Sequence, residues 1–353
     1  MRWQKNEQYA TIPLRMVGPV EIINPLVNEA VLLPLATFET PLWHAVHRGA
    51  RVASKAGGIT ATLFDDRMTR SIVLQADSAL TIHGVAQDLA QHEERLASLV
   101  AQSSRFARLL SIHTECVGNL LYVRFAFSTG DAAGHNMVTL ASDRLMSWIL
   151  THYPVLSYVS LSANYCVDKK VSAVNGILGR GKKVIAEVLI PRALCQSLLR
   201  STPEKIVDLN IKKNLLGSIL AGSTRSANAH IANMLLGFYL ATGQDAANIV
   251  EGSQGIVYAE CRDHDLYFSV TLPHLIMGTV GNGKEFAFVQ EVLTALGCTQ
   301  ERTPAENAKR LAVIAAAAVL CGELSLLAAL TNPHELMHSH LKLERRSIKD
   351  NST

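Results

Sequence analysis

The sequence predicts an α+β fold in which a small β-α-β-β-α-β unit is inserted into a larger mixed helix/sheet body. Three observations lead there. Between Ser71 and Leu161, strand-like and helix-like stretches follow the order of the split ferredoxin-like motif. Outside that window, short apolar strand patterns are interleaved with long apolar helical stretches near 228–242 and 311–330. The glycine-bearing loop 128–136 is not a G-x-G-x-x-G fingerprint, so nothing points to a Rossmann domain. The expected division is residues 1–70 and 162–353 for the large body and 71–161 for the insertion.

Bulk properties narrow the class. The chain has 353 residues, room for about two domains. Its 48% hydrophobic and 18% charged content suits a buried globular core. A net charge of +3 is near neutral for this size and excludes a general nucleic-acid footprint. Six scattered cysteines without a C-x-x-C pair suggest reduced thiols in a cytoplasmic protein and speak against a zinc site. The start, MRWQKNEQ, lacks the apolar core of a signal peptide. The most apolar segment, Leu311 to Leu330, is interrupted by Gly322 and Glu323, which favours a buried helix over a membrane span.

Taken in order, residues 1–35 alternate apolar runs with Pro and Gly, the pattern of short strands and turns. From Glu39 the spacing is helical: Leu42, Ala45, Val46 and Ala50 share a face, with Gly49 as a blemish. Glu39 at the helix start reads as a capping carboxylate favoured by the macrodipole, or as an acid if burial outweighs that dipole. Arg48 and Arg51 lie three apart, on one face suited to phosphates. Next come a strand at 72–74, a long helix at about 85–103, strands at 109–115 and 120–127, a helix at 136–153 and a strand at 156–161. The loop before the second helix ends on exposed N–H groups that suit a pyrophosphate. Arg105 and Arg108 are either anion ligands or a solvated face.

After the strand exit come Ser162, Asn164, Asp168 and the pair Lys169–Lys170. Such an ammonium stabilises charge developing on a carbonyl oxygen, although a solvated turn has the same composition. A glycine-rich turn (Gly176, Gly179, Gly181) leads into a strand at 184–190. Ser201-Thr-Pro-Glu204 has the form of a capping box that starts a helix toward Leu220. His230 and Asn233 share a face of an apolar helix ended by Gly243. Asp245 follows in apolar surroundings, where a carboxylate needs a partner. Strands at 256–259 and 266–271 precede the loop 278–283. Thr303-Pro-Ala-Glu306 is a second capping box, opening the helix that runs to about Leu330. The tail offers His334, His338 and His340, and its H-E-x-x-H order raises a zinc-protease reading. The position just after Pro333, near the chain end, disfavours it.

The segment SANYCVDKK (162–170) resembles the S-G-N-Y-C-T-D-K-K signature of 3-hydroxy-3-methylglutaryl-CoA (HMG-CoA) reductases. Segments 36–51, 128–138, 228–250 and 322–340 resemble that family in the family's order, and 277–283 is a weaker match. The GQDAA form at 243–247 points to the biosynthetic, eukaryote-like class. The family's E-N-x-x-G motif is not visible in residues 1–35, His47 stands where the family commonly has Asn, and Ala133 and His135 replace two methionines.

The resemblance implies NADPH-dependent reduction of HMG-CoA to mevalonate and CoA, with NADPH favoured over NADH and no metal. It assigns Glu39 as the acid, Lys169 as the oxyanion cation, Asp245 as the group coupled to both, and His340 as the acid for the departing thiolate. Arg70 would take the free carboxylate in a bidentate fork. Ser162, Asn164, Asp168, Lys170, Lys213, His230 and Asn233 would surround the substrate, and His47, Arg48 and Arg51 would meet CoA. Ser104, Arg105, Asp131, Ala133, Gly134, His135, Asn136, Val280 and Gly281 would line the dinucleotide site in the small domain. A homodimer or larger assembly is implied, with the site between subunits. The alternative is a catalytically weak paralogue that binds CoA or dinucleotide.

Overall fold

A computed structural model of the chain describes residues 10–337 and Leu341. Two strands open the fold, β1 (Leu14–Asn24) and β2 (Val27–Ala36), paired as one antiparallel hairpin. The sequence suggests shorter strands here, but the apolar residues alternate across Pro19 and Pro34, so the hairpin continues. Helix α1 (Pro41–Lys55) and strand β3 (Ile59–Gln75) follow. Then come α2 (Ala79–Leu89), α3 (Glu93–Ser103), β4 (Arg108–Val117), β5 (Leu120–Ser128), α4 (His135–His152) and β6 (Ser157–Ser160). The rest comprises α5 (Val174–Leu178), β7 (Gly181–Ile190), α6 (Arg192–Leu194), α7 (Pro203–Leu209), α8 (Gly217–Leu220), α9 (Ile231–Ala241), α10 (Ile249–Gly252), β8 (Ile256–Arg262), β9 (Asp265–Leu275), α11 (Ala287–Ala295) and α12 (Glu306–Leu330).

β3 belongs to two ladders. Its first half, through Arg67↔Gly181, pairs with β7 in the order β2-β1-β3-β7-β9-β8. From Met68↔Phe127 onward it pairs with β5, giving β4-β5-β3-β6. The sequence reading divides the domains after residue 70 and places a short strand at 72–74, whereas β3 is one strand that runs from Ile59 through Gln75. Two apolar cores result. One gathers α1, α9 and α12 against the first ladder, and the other gathers α2, α3 and α4 against the second. The expected single helix over 85–103 is two helices joined by a 3-10 turn at Ala90–His92.

Helix α12 organises the larger core: its most apolar stretch is 94% buried, as expected of a core helix. Gly49 is no blemish. A Cβ there would overlap the Cys321 backbone, so glycine lets α1 and α12 cross in direct contact. Both capping boxes are displaced. Thr202, not Ser201, caps α7 by accepting from the Lys205 N–H. At α12 the Glu306 carboxylate accepts from the Thr303 N–H, but Ala305 holds the cap position with φ +79. The missing cap acceptor comes from Asp131, whose two oxygens accept from Ala305 N–H (3.0 Å) and Ala308 N–H (2.9 Å).

Candidate active site

The loop after β6 carries the densest constellation. Asn164, Val167 and Lys169 all have left-handed backbones (φ +60, +48 and +56), which non-glycine residues hold only where neighbours impose it. Those neighbours are specific. Ser71 Oγ accepts from Cys166 N–H at 2.8 Å, Thr69 donates to the Cys166 carbonyl, and Asn175 donates to the Val167 carbonyl at 3.0 Å. Arg180, 1% exposed, donates to Asp168 at 2.6 Å and to Glu251 at 2.9 Å, while Glu251 accepts from the Lys169 N–H at 3.3 Å. A buried Arg–Glu pair thus fixes both the Asp168 carboxylate and the Lys169 backbone.

The side chain this presents is the Lys169 ammonium, 2.6 Å from Asp245 Oδ2. The hydrogen bond from Lys169 to Asp245 raises the lysine pKa. Burial pushes the Asp245 carboxyl up, but that bond and the Ala247 N–H together bring it below its usual value. Asp245 is not deeply buried, as its apolar sequence context suggests, but 48% exposed on a cleft. For Asp168, burial raises the carboxyl, and the His135 hydrogen bond and Arg180 charge outweigh it, leaving the group well below the ordinary carboxylate range.

Lys169 and Asp245 stand in a cleft of about 530 Å³. Arg70 enters from β3 and donates to Ser162 Oγ at 3.3 Å, while its buried Nε has no partner. Gly134, His135 and Asn136, at the start of α4, form one wall, and Ala133 adjoins them. Val280 and Gly281 form another, joined to the first by an Ala132–Val280 bridge. The cleft therefore unites Arg70, Asp168, Lys169 and Asp245 with six of the residues expected to hold a dinucleotide, Ala133, Gly134, His135, Asn136, Val280 and Gly281; Asp131 does not line it, because its carboxylate caps α12. Asn164 and Lys170 are exposed on the loop itself, and Lys170 donates to the Asp168 carbonyl.

Other expected residues lie elsewhere. Glu39 accepts from Asn233 at 2.9 Å at the N-terminal end of α9. His230 pairs there with the Gly322 carbonyl at 3.0 Å. Beneath it is fully buried Glu323, which accepts from the Ala229 and His230 N–H groups; burial raises its pKa, and Lys213 is among the charges that oppose the rise. Asp245 follows the opposite end of α9, and eleven helical residues separate the ends by about 16 Å. Within one chain, Glu39 and Lys169 therefore occupy different surroundings.

Arg48 is engaged inside the chain, by Ser325 and by Glu335 at 2.9 Å, whereas His47 and Arg51 are exposed. Ser104 Oγ accepts from the Phe106 and Ala107 N–H groups, and Arg105 lies over the Phe106 ring; neither residue lines the cleft. His340 and His338 lie outside the described residues. His334 has φ +66 and precedes the helical turn, and Glu335 is taken by Arg48 and Asn332, an arrangement at odds with a zinc-binding helix. Asp88, His92 and His152 do sit together outside the cleft, where Tyr153 donates to Asp88 and Trp148 stacks on His152.

The hydroxymethylglutaryl-coenzyme A reductase family model matches residues 8–345. The chain belongs to that family. HMG-CoA reductase of Pyrococcus horikoshii is 44% identical over 337 residues, covering 95% of this chain and 81% of that protein. The Aeropyrum pernix reductase is 43% identical, covering 96% and 80%, and Dictyostelium discoideum reductase 2 is 41% identical, covering 96% and 65%. Among solved structures, a class II HMG-CoA reductase from Streptococcus pneumoniae, bound to NADPH in open conformations, has a TM-score of 0.74 at 19% identity and covers 94% of this chain and 88% of that one. That likeness carries the reductase fold.

The sequence reading gave no site role to Arg180, Glu251, Glu323 or Lys284. Each is an isolated charge in its segment, and only the fold gives it a neighbour. A usable signal was a charge within an otherwise apolar run, as at Glu323.

Proposed function

We propose that the chain catalyses NADPH-dependent reduction of HMG-CoA to mevalonate and CoA. The observation that carries this reading is the Lys169 ammonium, fixed by an over-determined loop, held charged by Asp245 and facing a cleft large enough for reacting groups. Two NADPH molecules, bound in turn, would each supply one hydride. The cleft walls fit such a group: α4 starts without a side-chain cap, leaving N–H donors for a diphosphate. The unit built on the second core, residues 71–161 in the sequence division, is the nucleotide-binding domain in this reading.

Lys169 stabilises the oxyanion as the thioester carbonyl is reduced, and again as the aldehyde is reduced. Arg70, with a buried nitrogen left unpartnered, holds the substrate carboxylate with Ser162. Glu39 delivers the proton to the aldehyde oxygen, positioned by Asn233. His340 protonates the departing thiolate, and Lys213, His230, Asp168 and Lys170 complete the substrate wall. His47 and Arg51 receive CoA phosphates; Arg48 joins them if CoA displaces Glu335. No protein ligand set for a metal is required.

Because Glu39 and Asp245 lie at opposite ends of α9, the proposed chemistry needs two chains. In a homodimer, the Glu39 end of one subunit faces the Lys169 cleft of the other. The long apolar helix is buried in the core, consistent with a cytoplasmic enzyme. The test is Lys169→Ala, which abolishes HMG-CoA-dependent NADPH oxidation while circular dichroism and thermal unfolding stay those of the wild type. Wild-type turnover by this variant rules the assignment out.

A further inference from the structure

Lys284, in the loop between β9 and α11, is 6% exposed and lines the same cleft as Lys169 and Asp245. Its ammonium donates to the Gly243 carbonyl, a neutral partner. Lys182, buried to a similar degree, instead meets Asp66 at 3.0 Å. Burial lowers the Lys284 pKa to about 8, and the charge of neighbouring Glu285 only partly offsets it. A buried ammonium without a counter-ion is costly unless an anion completes it.

The cleft's other charged groups have partners or roles of their own. Lys169 is paired with Asp245 and Asp168 with Arg180 and His135, while Arg70, bonded to Ser162 through one nitrogen, keeps a buried unpartnered Nε that the proposed reaction gives to the substrate carboxylate. The first turn of α4, which lines the same cleft, follows Gly134 without any side-chain cap. Gly281, with φ +101 and open space where a Cβ would stand, leaves the backbone approachable between these two features. A buried cation and an uncapped helix start thus line one cavity, the arrangement that a diphosphate bridges.

We propose that Lys284 determines cofactor affinity, its ammonium taking a phosphate oxygen of the dinucleotide diphosphate opposite the first turn of α4. This rests on the reductase reading above and adds a residue to it. The alternative anion is the carboxylate of the acyl substrate, which the experiment separates.

Dissociation constants for NADPH are measured by cofactor fluorescence on the full chain without HMG-CoA, for wild type, Lys284→Met and Lys284→Arg. Thermal midpoints are recorded alongside, followed by KM for HMG-CoA at saturating NADPH. Loss of one charge-assisted hydrogen bond predicts NADPH binding weakened about tenfold or more in Lys284→Met. Lys284→Arg keeps most of the affinity, the KM for HMG-CoA stays near wild type, and the thermal midpoint does not fall. Wild-type NADPH affinity in Lys284→Met overturns the proposal, as does a loss confined to the KM for HMG-CoA. A wild-type protein that fails to bind NADPH overturns the reductase reading itself, and this inference with it.

Discussion

Lys169 draws its value from two separate partners. Asp245 fixes the charge of its ammonium, and Glu251, backed by Arg180, fixes its backbone. The first partner has a pH consequence. The hydrogen bond to Asp245 raises the Lys169 pKa, so the charged form persists to higher pH than it would alone. In Asp245→Asn that support is gone, and the alkaline limb of the kcat profile moves to lower pH; an unmoved limb means that Lys169 does not set it. At this scale the sequence was informative where chemistry is packed into a short run, as in Asp168-Lys169-Lys170. It was silent where partners are far apart: Arg180 sits in a glycine-rich turn and Glu251 is 82 residues from Lys169. Asp131 is the converse, read as a cofactor residue from its loop while its two oxygens cap α12.

Elements were legible wherever a hydrophobic period persisted. Helix α1, the β4–β5 hairpin, α4, β7 and α12 follow their sequence patterns closely. The misreadings share a cause, because tertiary contacts override local signals. Thr202 and Asp131 supply caps that the S-x-x-E and T-x-x-E patterns assigned to neighbours. β3 continues through residue 70 because it finds β7 on one half and β5 on the other. Gly49 carries the clearest prediction. A methyl group there overlaps the Cys321 backbone, so Gly49→Ala forces α1 and α12 apart and lowers unfolding free energy by about 1–3 kcal/mol or more. Denaturant unfolding reads this, and an unchanged midpoint means that the two helices do not cross so closely.

Across the whole molecule, the proposed reaction divides the chain's groups into two half-sites. One is the Lys169–Asp245 cleft, which adjoins the loops proposed to hold the dinucleotide. The other is the Glu39–Asn233–His230 surface over buried Glu323, at the far end of α9. The resemblance assigns all these residues to one reaction at a site between subunits, and the fold shows that the two groups lie at opposite ends of α9 within one chain. Convergence then depends on assembly. Co-expressing Glu39→Gln and Lys169→Ala chains with distinct tags, and assaying the mixed dimers against each variant alone, tests that dependence. Each variant alone is inactive, whereas every mixed dimer regains one intact site of two, so the isolated mixed dimers recover about half of wild-type turnover and the unseparated, randomly paired population about a quarter. Mixed dimers as inactive as the single variants would contradict a site shared between subunits.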